Sequence, residues 1–412
     1  MPAVAGSALR AATQPMATIM NSTPTTASHV PLQTSRRIGE HHGQTPGPLL
    51  LVVGGIHGNE YSGVLAARRV LDKLALEARP FRGRFVALAG NLSALSLDQR
   101  FIDVDLNRQW QSTRVEALDL AGGATAAASV EEQEQWQLLS ALRREMAVAQ
   151  GEVYFVDLHT SSADGAPFAT VGDTLRNRAF ALKLGLPVVL GLEEQIDGAL
   201  LEYMNNLGHV TVGIEAGRHA APASVDHHEA VLWLALLATG NMDAPDVPEA
   251  AGWRRLLLAA TPGIPRIMEV RHRHPVAADD QFVMEPGYTN FDPVPAGTMV
   301  ARDRTGPLIS RRRCRVLLPL YQAQGNDGYF LVRPIRRFWL ALSALLRRSG
   351  LPALMHWLPG VRRHPQRHET LVVDTRISRF LAVQVFHLMG YRRVRWQGHV
   401  LMVSRRRFDT RR

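Results

Sequence analysis

Leu49-Leu50-Leu51-Val52-Val53-Gly54-Gly55-Ile56-His57-Gly58-Asn59-Glu60 is the stretch that decides the fold. Five consecutive apolar residues closed by two glycines read as a strand buried on both faces, the pattern of a parallel sheet. A His and a Glu three residues apart follow its carboxyl end, where open α/β sheets place their sites. Working outward, Ser62 is positioned to cap a helix with Val64, Leu65, Val70, Leu71 and Leu74 on one stripe. Arg84 to Leu88 reads as a second strand, Glu131 to Val148 as a helix and Val153 to Leu158 as a third buried strand. Asn177 to Leu184 is helical, and Val188 to Leu190 and Val210 to Ile214 are strands. Ser224 is placed to cap a helix running to about Ala238. Strands alternating with helices over 46–245 predict an α/β domain with a mostly parallel, mixed sheet.

The character changes on either side. Residues 1–45 are rich in Ala, Thr, Ser and Pro, carry no acid before Glu40 and read as a disordered tail with no secretory signal. After Asp243 comes a Pro- and Ala-rich linker, then short punctuated segments that predict a small β domain over 253–334. Residues 335–412 form a basic α/β extension. From Arg302 onward there are 24 Arg against 5 acids, whereas the first 301 residues hold 23 basic and 32 acidic residues. The net charge of +10 therefore belongs to the C-terminal end of a mildly acidic body.

Several function classes drop out. A single cysteine among 412 residues excludes a disulfide framework, a Cys-based zinc ribbon and an iron–sulfur cluster. No apolar run approaches the ~20 residues of a membrane span. The phosphate loop, the dinucleotide fingerprint and the Gly-x-Ser-x-Gly elbow are all missing.

Four constellations carry chemistry. The first is His57-Gly58-Asn59-Glu60, whose imidazole and carboxylate are natural zinc ligands. The second is Asp157-Leu158-His159 at another strand end, which would complete a two-His, one-Glu zinc set but alone reads better as a histidine bonded to a backbone carbonyl. The third is Arg100-Phe101-Ile102-Asp103-Val104-Asp105-Leu106-Asn107-Arg108, either a salt-bridged loop or an Arg clamp for a substrate carboxylate. The fourth is Glu215 in Gly213-Ile214-Glu215-Ala216-Gly217, a carboxylate that is costly at a buried strand end unless it acts as a base.

In this order, the four motifs resemble the succinylglutamate desuccinylase/aspartoacylase family, a branch of the zinc carboxypeptidase-like hydrolases. The resemblance spans about Pro48 to Val332. It implies a three-layer αβα zinc-carboxypeptidase-like domain and a small C-terminal β domain. It implies one Zn2+ per chain held by His57, Glu60 and His159, with Glu215 as general base. Arg100 matches the residue that polarises the scissile carbonyl, Asn107 and Arg108 those that hold a substrate carboxylate, and Tyr329 a substrate-contacting tyrosine. The implied activity is hydrolysis of the amide or ester bond of a small N-acyl amino acid or related acylated carboxylate, in a cytoplasmic enzyme. Aspartoacylases in the strict sense carry a further Arg just before the catalytic strand. Tyr203 to His209 has none, which speaks against N-acetylaspartate; Asn205 or His209 would meet a different polar group. Two alternatives stand beside this reading. One is a zinc carboxypeptidase acting on peptides. The other is an inactive scaffold that binds nucleic acid or membrane through its basic end. No nucleic-acid partner is expected, because no recognised fold supports one. Arg336 to Arg348, a short apolar helix bracketed by Arg pairs, is suited to weak contact with an anionic membrane surface.

Overall fold

The apolar run becomes an inner strand of a large sheet. The structure is a computed structural model that describes residues 33–125, 128–277, 279–378 and 383–410. The first half contributes β1 (Arg37–His42), β2 (Thr45–Gly54), β3 (Arg82–Ala89), β4 (Val153–Ser161), β5 (Phe168–Val171), β6 (Val188–Leu190) and β7 (Val210–Arg218). β3, β2, β4 and β7 run parallel and side by side. β5 is inserted antiparallel to β7, and β6 runs parallel to β5, so the sheet is mixed.

Burial of β2 on both faces follows from its alternation. Leu50 and Val52 pack with the helices Ser62–Glu77 and Pro222–Thr239. Leu49, Leu51 and Val53 pack on the other face with Leu138, Leu139 and Leu142 of the helix Val130–Ala147. Helices on both faces make the expected three layers. Pro222–Thr239 is apolar nearly all round because it lies between Ser62–Glu77 and a third helix, Ala250–Ala259.

Several expectations are corrected. Residues 1–32 lie outside the described residues, but the tail expected over 1–45 is already a strand at Arg37–His42. β1 pairs antiparallel with β3, and Arg36 and Arg37 bridge to Glu134 and Glu145. Ser62 does not cap its helix; its hydroxyl lies 3.2 Å from His228 Nδ1. Ser224 is likewise inside a helix that starts at Pro222, and its hydroxyl donates to the Arg218 carbonyl at 2.7 Å.

The β-rich segment is not set apart by a linker. Ala250–Ala259 packs on the preceding helix through Leu257. The next strands are β8 (Ile267–Pro275), β9 (Val283–Met284), β10 (Pro293–Val294), β11 (Met299–Asp303), β12 (Gly306–Ile309), β13 (Cys314–Leu317) and β14 (Asp327–Pro334). β8 pairs parallel with β6, so the main sheet continues without a break through β14, β13 and β10. β9, β11 and β12 form a separate small sheet.

The Arg-rich end has its own four-stranded antiparallel sheet of β15 (Val361–Arg363), β16 (Thr370–Asp374), β17 (Tyr391–Gln397) and β18 (Val400–Arg405). Val361, Leu371, Phe386 and Leu401 share its core. Many of its arginines point into the body. Asp173 is buried among Arg178, Arg347 and Arg392, and Arg392 also reaches Glu269. Gln33–Arg412 is a single compact unit, in which the acidic body and basic extension meet as ion pairs.

Candidate active site

The sheet register gathers the strand-end motifs. Gly54 of β2 stands opposite Leu158 of β4, and His159 opposite Glu215 of β7. Past Gly54 the chain turns tightly, with Gly55 at φ +72° and a hydrogen bond from Glu60 N to the His57 carbonyl. A Cβ on Gly58 would lie 2.1 Å from the Ala94 carbonyl carbon, so only glycine fits between the motif and its neighbour.

His57, Glu60 and His159 converge with ligand atoms within 4.8 Å of one another. His57 Nδ1 lies 2.8 Å from Glu60 Oε1, and His159 Nδ1 lies 3.1 Å from Glu60 Oε2. Each imidazole turns its other nitrogen to a second carboxylate. His57 Nε2 is 3.2 Å from Asp105 Oδ1, and His159 Nε2 is 3.0 Å from Asp157 Oδ2. Burial raises the pKa of Glu60, but the two imidazoles outweigh it and hold the carboxyl well below its ordinary range. An ionised carboxylate and two inward Nδ1 atoms, each imidazole backed by a carboxylate, form a donor set that fits a divalent metal.

The Arg100–Arg108 segment is held beside this centre by Glu131. Its carboxylate accepts from the backbone N–H groups of Ile102, Asp103 and Val104 at 2.8, 2.9 and 3.1 Å. Arg100 Nη2 donates to Asp105 at 3.1 Å, while Nη1 lies 3.5 Å from Glu60. Asn107 Nδ2 is 3.5 Å from His159 Nε2, and its Oδ1 accepts from Leu200 N at 2.9 Å. Arg108 donates to Asp327, the first residue of β14, at 3.0 Å.

Glu215 Oε2 is buried with no hydrogen-bond partner among the described residues. Burial, with the Glu60 and Asp157 charges adding to it, pushes the carboxyl up to about 8 against the opposing His159 and Arg100. His57, Glu60, His159, Arg100, Asn107, Arg108, Asp157 and Glu215 line one cavity of about 140 Å3, while Asp105 and Glu131 are not in its lining. Leu318, Pro319, Leu320, Gln322 and Asp327 wall it from the C-terminal side.

Tyr329 does not join them. Its ring is buried in the core shared by β11, β13 and β14, and it stacks on His274 with centroids 5.3 Å apart. Alternation along β14 turns the next residue, Phe330, to the cavity instead. Asn205 is also elsewhere, accepting from Asn177 at 2.7 Å, and neither it nor His209 lines the cavity. Sequence reading passed over Asp105 and Asp157 as backing groups, although Asp157 sits two residues before His159 and so on the same strand face. It also missed His219, whose Nδ1 is 2.8 Å from Thr160 Oγ1 and Nε2 3.1 Å from Gln322 Oε1. Glu193 was missed too. It lines the cavity and accepts from Arg406 of the extension at 2.7 Å. Only the tertiary fold brings these residues in.

The sequence profile of the succinylglutamate desuccinylase/aspartoacylase catalytic domain matches residues 46–234. No curated protein matches the sequence. Among solved structures, the chain is similar to a succinylglutamate desuccinylase/aspartoacylase from Rhodobacter sphaeroides. The identity is 21%, the TM-score 0.53, and the match covers 73% of this chain and 88% of the other. A succinylglutamate desuccinylase from Vibrio cholerae matches at 17% identity and TM-score 0.51, covering 71% and 82%. The ectoine utilization protein EutE (DoeB) from Ruegeria pomeroyi, in a product-bound structure, matches at 20% and 0.50, covering 70% and 86%. These likenesses establish a shared fold.

Proposed function

Because the profile of the succinylglutamate desuccinylase/aspartoacylase catalytic domain matches residues 46–234, we propose that the chain is a zinc-dependent deacylase of that family. Its substrate is a small N-acyl amino acid or related acylated carboxylate, cleaved at an amide or ester bond in the cytoplasm. The observation that carries this reading is the buried, unpartnered Glu215 oxygen across the strand pair from His159. Buried beside the His57, Glu60 and His159 donor set with a free oxygen, the Glu215 carboxylate is suited to take a proton from an attacking water and return it to the leaving amine.

His57, Glu60 and His159 would hold the zinc, with Asp105 and Asp157 fixing the imidazoles. Bound there, the ion supplies Lewis acidity and lowers the pKa of a water toward about 7. Arg100, held by Asp105, is placed to stabilise the oxyanion. Asn107 and Arg108 orient the substrate carboxylate, for which Arg108 exchanges its contact with Asp327. The residues walling the C-terminal side narrow the cavity, which favours a small substrate over a peptide.

The test is a panel of N-acyl amino acids and C-terminal peptides, assayed with zinc-loaded protein. The Glu215→Gln variant retains its metal by elemental analysis and loses about a hundred- to ten-thousandfold in kcat. Near-normal turnover in that variant, or no release from any N-acyl amino acid, overturns the assignment.

A further inference from the structure

The helix Arg337–Arg348 meets the body through Leu340 but leaves much of its apolar surface outside. Its two most deeply buried residues are polar. Ser343 donates to the Leu388 carbonyl at 2.9 Å, and Arg347 is buried on Asp173, Asp409 and the His387 carbonyl. Phe338, Ala341 and Leu345, spaced as one helical stripe, face outward. Phe338 is 65% exposed and Leu345 66%. The next turns continue the pattern: Leu351 and Leu354 are exposed, and Trp357 is 75% exposed. Phe338 and Trp339 contact each other edge to face and make no aromatic core of their own.

The charges along this segment are of one sign, and Glu269, which lines the cavity behind Trp339, is already paired with Arg271 and Arg392. Between Asp327 and Glu369 there is no Asp or Glu, but there are eight Arg. Arg347 is consumed in the buried anchor; Arg336, Arg337, Arg348, Arg362 and Arg363 are exposed. Elsewhere in the extension arginines pair with acids of the body, whereas these five make no ion pair among the described residues. No helix among the described residues is long and apolar enough to cross a membrane. A surface that is apolar at its centre and purely cationic at its rim matches a bilayer surface rich in anionic headgroups, where aromatic side chains enter the boundary and arginines stay with the phosphates.

We propose that the face formed by Arg337–Arg348 and the turn to Trp357 docks on an anionic lipid surface, with the active-site body held in water. The test is co-sedimentation of the full chain with phosphatidylcholine vesicles, with and without phosphatidylglycerol. Binding is expected only with the anionic lipid and is weakened by salt. It is accompanied by a blue shift of tryptophan emission from Trp339 and Trp357. Replacing Arg336, Arg337 and Arg348 together by Gln lowers the partition coefficient about a hundredfold at low salt. F338S with L345S abolishes binding while the far-ultraviolet circular dichroism and thermal midpoint are kept. Equal binding to neutral vesicles overturns the proposal. So does failure to bind anionic vesicles, including the case in which the chain dimerises through this face and the same substitutions dissolve the dimer. Lipid binding is read without substrate, so it stands apart from the deacylase assay.

Discussion

Asp105 governs how firmly His57 is held, because it meets Nε2 while Nδ1 is turned to Glu60. Asp105→Asn should lower metal affinity by about 10- to 100-fold, measured by competition with a chromogenic chelator. Tyr329 gives the opposite expectation. Its ring belongs to the core of the β-rich segment, so Tyr329→Phe should leave kcat/KM within about twofold of the parent. The two cases show what could be read locally. His57, Glu60, His159 and Glu215 each follow an apolar run by a residue or a few, and strand register brings such positions to one edge. Tyr329 was read from the family resemblance alone. One step of alternation separates a residue in the cavity from one in the core, and sequence does not say which face a short β strand buries.

At the scale of elements, the Arg100–Arg108 loop depends on a helix start. Three backbone donors end on Glu131, the second residue of Val130–Ala147. Glu131→Ala leaves them unpaired at about 1–3 kcal/mol each. The expected result is a lower thermal midpoint and a large loss of kcat/KM with metal content unchanged. The longer helices and the parallel strands of 46–245 were legible because apolar periodicity dictates them, whereas β5 and the short helices Leu92–Leu97, Ser112–Leu120 and Leu200–Asn206 were not read. Helix starts were less so: Pro222 sets one start, and the serines expected to cap instead bond to His228 and the Arg218 carbonyl. The strand at Arg37–His42 was invisible because its sequence is polar. It exists through pairing with β3 and arginine bridges to Glu134 and Glu145.

Across the whole molecule, the uneven charge has a structural use. Asp173 and Glu269 receive the arginines of the extension. Burial raises both carboxyls, but ion pairs outweigh it at Asp173, and the His387 hydrogen bond together with Arg392 and Arg271 does so at Glu269, which falls to about 2. A carboxylate depressed in the folded state stabilises above its unfolded value and loses that contribution as pH falls through the folded one. Docking of residues 335–412 should therefore be complete above about pH 4.5 and fail as pH approaches 2. Pepsin cleavage within the extension, followed across that range, reads the release. Asp173→Asn removes the carboxylate that three buried arginines share, leaving Arg178 with none and Arg347 and Arg392 with only Asp409 and Glu269, at a cost of about 3–5 kcal/mol, and should release the extension at neutral pH. Composition located the charge but could not show that much of it is spent inside the protein.

The unbroken backbone ladder from β2 through β6 and β8 to β14 bears on how such an enzyme can be re-engineered or can diversify. Exchanging the C-terminal segment for that of a relative would cut hydrogen bonds in the middle of a sheet. New specificity is therefore more accessible by rewriting the connection from Leu318 to Asn326, which carries the cavity wall and no ladder, than by recombination of modules.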